Sequence, residues 1–257
     1  MEVRVLGPLE VSDAGRTLPI GGYRQRLVLG VLLLQPDRVV TTDWLVDAVW
    51  GEDAPRTARK TLQVYISRLR RVLGADVIDA APTGYALRLG SDQLDAARFE
   101  ELADEGRRLL ALDPAAAARA LHQALSIWRG APWGELGDEP AIQPEAQRLR
   151  ERRLEVLEDR ITADLEMGHA AGLVGELEGL IEEHPWRERF RAQLMLALYR
   201  AGRQADALHA FQAARTFLGE ELGIEPSPDL QDLEEKILLQ DPTLAGPAPT
   251  AELEGWR

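Results

Sequence analysis

Apolar residues change their spacing along this chain, and the changes mark out its elements. "VRVLGPLEV" (3–11) and "RTLPI" (16–20) are short apolar runs broken by Gly7-Pro8 and Asp13-Ala14-Gly15, the pattern of a small antiparallel sheet. "YRQRLVLGVLLLQ" (23–35) is apolar at helical spacing and stops at Pro36, which predicts a core helix. Thr42-Asp43 can cap a second helix, "WLVDAVWG" (44–51), and a third helical pattern occupies 56–74. In "DVIDAAPTGYALRL" (76–89), Pro82-Thr83-Gly84 separates two apolar runs, and Tyr85, Leu87 and Leu89 alternate, which predicts a hairpin. Beyond the polar stretch 90–93 the chain is helical throughout. Asp95 can cap a helix reaching Leu112, and 113–130 gives another. The predicted fold class is mainly α with small β-sheets.

A repeat lies within the helical part. Gly168, Leu173, Leu177, Leu180 and Pro185 stand at offsets 0, 5, 9, 12 and 17, and Gly202, Ala207, Phe211 and Ala214 reproduce the first four, 34 residues on. That period is the tetratricopeptide spacing, in which small and large residues interlock paired helices. The loop "WRGAPWGELGDEPAIQP" (128–144) places Trp128 and Trp133 among prolines and glycines, either to pack a long connection against the helices or to present a partner-binding surface.

Charge sharpens the division. The whole chain carries −13 at pH 7, yet residues 1–90 hold 12 Lys/Arg against 10 Asp/Glu, so the acidity belongs to 91–257. Within the head, 56–74 contains six basic residues and no acidic one. At about 100° per residue, Leu62, Tyr65, Ile66, Leu69, Val72 and Leu73 gather on one face of this helix. Lys60, Gln63, Val64, Ser67 and Arg71 gather opposite, with Arg68 and Arg70 on the flanks. Gln63 and Ser67 are suited to base edges and Arg68 to a bidentate guanine contact, whereas Lys60, Arg70 and Arg71 suit phosphates. A carboxylate there would repel a duplex. The order of strands, three helices and hairpin is that of a winged helix-turn-helix.

With 45% hydrophobic and 28% charged residues the composition is that of a soluble globular protein, and no apolar run approaches the roughly 20 residues of a membrane span. The N-terminus shows no secretory signal pattern and the chain has no cysteine, so a cytoplasmic protein without disulfides or thiolate metal sites is expected. His122, His169, His184 and His209 are scattered, "GHAAGLVG" (168–175) lacks the GK[ST] ending of a phosphate loop, and no GxSxG element occurs. No enzymatic activity, metal site or cofactor is predicted.

"TTDWLVDAVWGEDAPRTARKTLQVYISRLRRVLG" followed by "PTGYALRL" resembles the OmpR/PhoB-type winged helix, in the version found in Streptomyces antibiotic regulatory proteins and their AfsR-like relatives. "ALSIWRG", "LRERRLEVLEDRITADLEMGH", "HPWRERFRAQLMLALYRAGRQADAL" and "ELGIEPSPDLQDLEEKIL" resemble the bacterial transcriptional activation domain that follows it in that family. The resemblance implies a DNA-binding head over 1–90 and an all-α tetratricopeptide-like activation domain over 95–240, and the Pro/Ala-rich composition of "AGPAPTAELEGWR" (245–257) predicts a disordered tail. It implies that Gln63, Val64, Ser67 and Arg68 face bases. Arg56, Arg59, Lys60, Thr61, Arg70 and Arg71, with Thr83, Tyr85 and Arg88 in the wing, would contact the DNA backbone. Family wings often carry an arginine before the turn, whereas "DAAPTGY" leaves Arg88 as the nearby cation. Trp50, Glu52 and Asp53 would form a polymerase-facing loop. The function implied is a sequence-specific transcriptional activator of antibiotic biosynthesis genes, acting as a homodimer on direct-repeat promoter half-sites and recruiting RNA polymerase holoenzyme. A ligand-responsive repressor or sensor on the same head, and a helical interaction scaffold, are the alternatives.

Overall fold

The computed structural model describes residues 1–246; the tail expected to be disordered lies outside the described residues from 247 onward. The chain divides into two compact units, one of 1–103 with 123–155, the other of 104–122 with the described residues from 156 on.

In the first unit, β1 (Glu2–Arg4), β2 (Glu10–Asp13) and β3 (Arg16–Thr17) form an antiparallel sheet, with Val3 opposite Val11 and Asp13 opposite Arg16. Ala14 and Gly15 both take positive φ, 44° and 77°, the two-residue hairpin geometry that matches strand twist. Helix α1 (Tyr23–Leu33) buries every residue from Leu27 to Leu33, so its apolar run forms the centre of the head. It ends two residues before the expected stop. Strand β4 (Val40–Thr41) leads into α2 (Thr42–Trp50), whose cap is Thr41, one residue earlier than expected: its Oγ1 accepts the Trp44 N–H at 3.2 Å. Helix α3 (Ala58–Leu73) stops at Gly74, φ 117°. Strands β5 (Ile78–Ala81) and β6 (Gly84–Leu87) make the hairpin, and β6 sits between β4 and β5. Gly84 is required there, because a Cβ would lie 1.9 Å from the Val40 carbonyl oxygen. The head's core comprises Leu6, Leu27, Leu29, Leu32, Leu45, Leu62, Ile66, Leu69, Ile78 and Leu87.

The loop 128–144 belongs to the same unit. Arg129 N–H donates to Leu6 O at 2.8 Å and Trp133 N–H to Val5 O at 2.7 Å. Trp133 is buried with φ 65°, a strained conformation for an aromatic residue, held by that bond. Trp128 packs edge-on to Phe99, centroids 5.3 Å apart, under the Arg153 guanidinium. Both indoles therefore pack the connection internally. Helix α4 (Asp95–Leu109) begins at Asp95, whose carboxylate has a further role: it accepts Val5 N–H at 2.7 Å and Leu6 N–H at 3.1 Å. Burial pushes this carboxyl above its ordinary value despite those bonds. The helix ends at Leu109, and Leu112 lies exposed beyond it.

Helices α5 (Pro114–Ser126), α6 (Gln143–Glu166), α7 (Ala170–Glu183), α8 (Glu188–Arg200), α9 (Gln204–Leu222) and α10 (Pro228–Leu238) follow. The division between the units falls within α4, α5 and α6. The 34-residue repeat has a structural counterpart in the second unit. His169 N–H bonds Asp164 O and Gly168 N–H bonds Leu165 O; Arg203 N–H bonds Leu198 O and Gly202 N–H bonds Tyr199 O. These are the same 6→1 and 5→2 closures of a Schellman turn, and Gly168 and Gly202 supply the positive φ, 83° and 77°. The turns thus close equivalent helix pairs, α6/α7 and α8/α9, and Leu173, Leu177, Ala207, Phe211 and Ala214 are buried.

Candidate nucleic-acid interface

The interface is built on α3. Ala58, Leu62, Ile66 and Leu69 recur at intervals of three and four and are buried against α1 and α2, which fixes the rotation of the helix about its axis. Lys60, Gln63, Val64, Ser67, Arg68 and Arg71 are consequently all exposed, Val64 by 46%. An exposed valine within a polar stripe is available to an apolar base edge such as a thymine methyl.

The cations of the segment have unlike surroundings. The side chains of Arg56, Lys60, Arg68 and Arg71 make no ion pair or hydrogen bond with another described residue. Arg59 instead pairs with Asp43 at the start of α2. Arg70 is half-buried and its Nε donates to the Ile78 carbonyl at 2.7 Å, tying α3 to the hairpin. Thr61 Oγ1 donates back to Thr57 O at 3.1 Å within its own helix. In the wing, Thr83 is exposed at the tip while its carbonyl accepts Thr42 N–H at 2.9 Å, and Tyr85 is half-buried. Arg88 is exposed beside Asp79 at 2.7 Å and Asp37 at 3.7 Å, and the hydrogen bond to Asp79 raises its pKa.

The loop before α3 differs from its sequence-based reading at one residue. Trp50 closes α2, is buried, and lies parallel to Tyr65 at 6.2 Å between ring centroids. Its indole is part of the support for α3, because the large apolar ring gains more from that burial than from a surface position. Glu52 and Asp53 are exposed on a single 3₁₀ turn, Gly51–Asp53. Sequence reasoning missed Asp43 and the Ile78 carbonyl as partners of α3. They lie 16 and 8 residues from the cations they engage, beyond the reach of a helical wheel.

This head, followed by helices in repeat register, has the architecture of a transcriptional regulator, and comparison with known proteins agrees. Residues 21–87 match the family "Transcriptional regulatory protein, C terminal", and residues 94–238 match "Bacterial transcriptional activator domain". Regulatory protein AfsR of Streptomyces coelicolor is 43% identical over 96% of this chain, which spans only 25% of AfsR's length. Regulatory protein DnrI of Streptomyces peucetius is 40% identical, over 94% of this chain and 93% of its own. The solved structure of Mycobacterium tuberculosis EmbR in complex with a low affinity phosphopeptide superposes with a TM-score of 0.89 at 36% identity, over 94% of this chain and 65% of EmbR. The chain belongs to the family of Streptomyces antibiotic regulatory proteins. Among its described residues, no helix is long and apolar enough to cross a membrane.

Proposed function

We propose that this chain is a cytoplasmic, sequence-specific DNA-binding transcriptional activator of antibiotic biosynthesis genes. The observation that carries the reading is the exposed stripe of α3, where Lys60, Arg68 and Arg71 lack carboxylate partners and flank Gln63, Val64 and Ser67. Free guanidinium and ammonium groups displace counterions from a duplex, whereas internally paired ones must first give up their partners. Gln63, Val64, Ser67 and Arg68 read bases, and Arg56, Lys60 and Arg71 hold phosphates. Two protomers occupy direct-repeat half-sites about one helical turn, roughly 10–11 bp, apart, which puts both recognition helices on one side of the duplex.

Glu52 and Asp53 are poorly suited to phosphates and well suited to a basic surface of RNA polymerase holoenzyme. Activation by recruitment follows, with no reaction catalysed by the chain. Selecting bound sequences from random DNA, then transcribing from the selected site with purified polymerase, tests the reading. The expected result is a direct repeat whose transcription the intact chain raises and whose raised yield falls with Glu52→Ala plus Asp53→Ala, at unchanged DNA affinity. A chain that lowers transcription from its own site is a repressor, and one that selects no sequence is an interaction scaffold.

A further inference from the structure

Arg191, in the first turn of α8, is a buried cation with no ion-pair partner among the described residues. It is 8% exposed, yet among the described residues no carboxylate stands within ion-pair distance. Its Nε and Nη2 both donate to one acceptor, the Pro185 carbonyl, at 3.2 and 3.0 Å. Arg160, equally buried, has both Asp164 and Glu176. Burial pulls the Arg191 pKa below the usual guanidinium value, and Glu188, whose carboxylate already accepts Ser227 N–H at 2.7 Å, partly offsets this. A buried, unpaired charge is costly and is retained where something pairs with it.

What surrounds Arg191 describes the pairing group. The residue lines a hollow of about 230 Å³ whose walls are Ile181 of α7, Leu194 of α8, and Ala210 and Ala213 of α9. The two alanines are one turn apart, so their small side chains leave the space open. On another side the guanidinium lies over the Phe217 ring, 4.9 Å from its centroid, and Phe217 in turn meets the half-exposed Trp186 at 4.8 Å. The volume is below the roughly 300–1,000 Å³ of drug-sized pockets, enough for one apolar side chain and a carboxylate. Glu178 and Glu182 stand exposed at the rim. Their charges oppose phosphates, nucleotides and other polyanions more strongly than a single carboxylate.

We infer that the hollow between α7, α8 and α9 is a binding site for an apolar monocarboxylate, whose carboxylate pairs with Arg191 and whose side chain fills the space over Ala210 and Ala213. The planar guanidinium presents its remaining N–H groups to two oxygens at once, which a lysine could not do. The site belongs to the helical unit, and its test is independent of DNA binding.

N-acetyl-leucine is the probe, titrated into the full chain by calorimetry. We expect saturable binding at least tenfold tighter than N-acetyl-leucinamide, which lacks the charge, and no competition by inorganic phosphate. Arg191→Met should weaken it at least tenfold and Arg191→Lys should restore part of the loss. Ala213→Leu should block the space with Arg191 intact, so this variant decides the matter if Arg191→Met fails to fold. Acetyl-Ala-Ala-Leu distinguishes sources: tighter binding than N-acetyl-leucine identifies a protein chain end, equal or weaker binding a free metabolite. Absence of saturable binding, equal binding of the amide, displacement by phosphate, or full binding by folded Arg191→Met or Ala213→Leu overturns the assignment.

Discussion

The outer face of α3 and the buried carboxylates of α6 put basic side chains to opposite ends. On α3, Lys60, Arg68 and Arg71 are exposed without partners. In the helical unit, arginines close the packing. Arg160 joins Asp164 at 3.1 Å and also pairs with Glu176, Arg187 joins Glu158 at 2.9 Å, and Arg189 joins Asp159 at 2.7 Å and Glu158 at 3.4 Å. Glu158, Asp159 and Asp164 are each almost fully buried. A cation with no internal partner keeps its charge for an external polyanion; a cation held by a buried carboxylate serves the fold. Net charge conceals the difference, because the −13 of the chain sums the two kinds of site.

The largest effect that could break this contrast is on stability. Arg160→Ala leaves Asp164 buried without its guanidinium partner, and a loss of about 3–5 kcal/mol is expected from the shift of the urea midpoint at pH 7. A loss below 1 kcal/mol would mean that the buried pairs are not the cement described. Asp164 also gives the network a pH signature. Burial pushes its carboxyl up, but the hydrogen bond from His122 and the neighbouring Arg160 outweigh that and hold it below the ordinary value. Its contribution to stability is thus present above the unfolded pKa, near 3.8, and is lost as pH falls through the depressed native value. Asp164→Asn should flatten the acid limb of stability in that window, measured by urea midpoints between pH 5 and pH 2.

Salt tests the other side of the comparison. Operator affinity of the full chain should fall with a log-log slope of roughly −3 to −6, as about four to six phosphates are neutralised, while the melting temperature changes little. A flat salt profile would sink the electrostatic role of the free cations. Next in size, Arg68→Ala should cost about 1–3 kcal/mol on the preferred site and relax base preference there. Arg71→Ala should weaken preferred and random duplexes alike. Equal losses of selectivity from both would show that the assignment of readout and anchoring is wrong.

The smallest effect concerns Arg70, a cation placed by sequence with the phosphate contacts and by structure against the Ile78 carbonyl. Removal of one such bond is expected to cost about 0.5–1.5 kcal/mol of stability. Arg70→Ala should therefore lower the melting temperature and leave the salt slope intact. A slope reduced by about one, at unchanged melting temperature, would return Arg70 to the phosphate-binding set.

Much of this division was visible in the chain. Spacings of two, three and four located the hairpin and helices, because side-chain direction follows directly from backbone periodicity. The buried set Leu62, Ile66 and Leu69 dictated that Gln63, Ser67 and Arg71 point outward. The 34-residue repeat anticipated the Schellman turns at Gly168 and Gly202, since a helix closed by a positive φ strongly favours glycine.

Partners distant in sequence were decided by tertiary structure. No local pattern distinguishes Arg59, paired with Asp43, from Lys60 beside it, which is free. Asp95 reads as a helix cap, yet its oxygens are drawn to the Val5 and Leu6 amides, because buried N–H groups nearly 90 residues away need acceptors. Trp50 reads both as the end of a helix and as part of a partner-facing loop, Trp133 as an open alternative, and both are buried where another segment offers apolar surface. Arg191 resembles any other arginine of an amphipathic helix until α7 and α9 pack around it and leave it buried, with Glu178 and Glu182 lining the same hollow but no ion pair to it among the described residues. Periodicity fixes the direction in which a side chain leaves its own element; what it meets there depends on segments brought together only by folding.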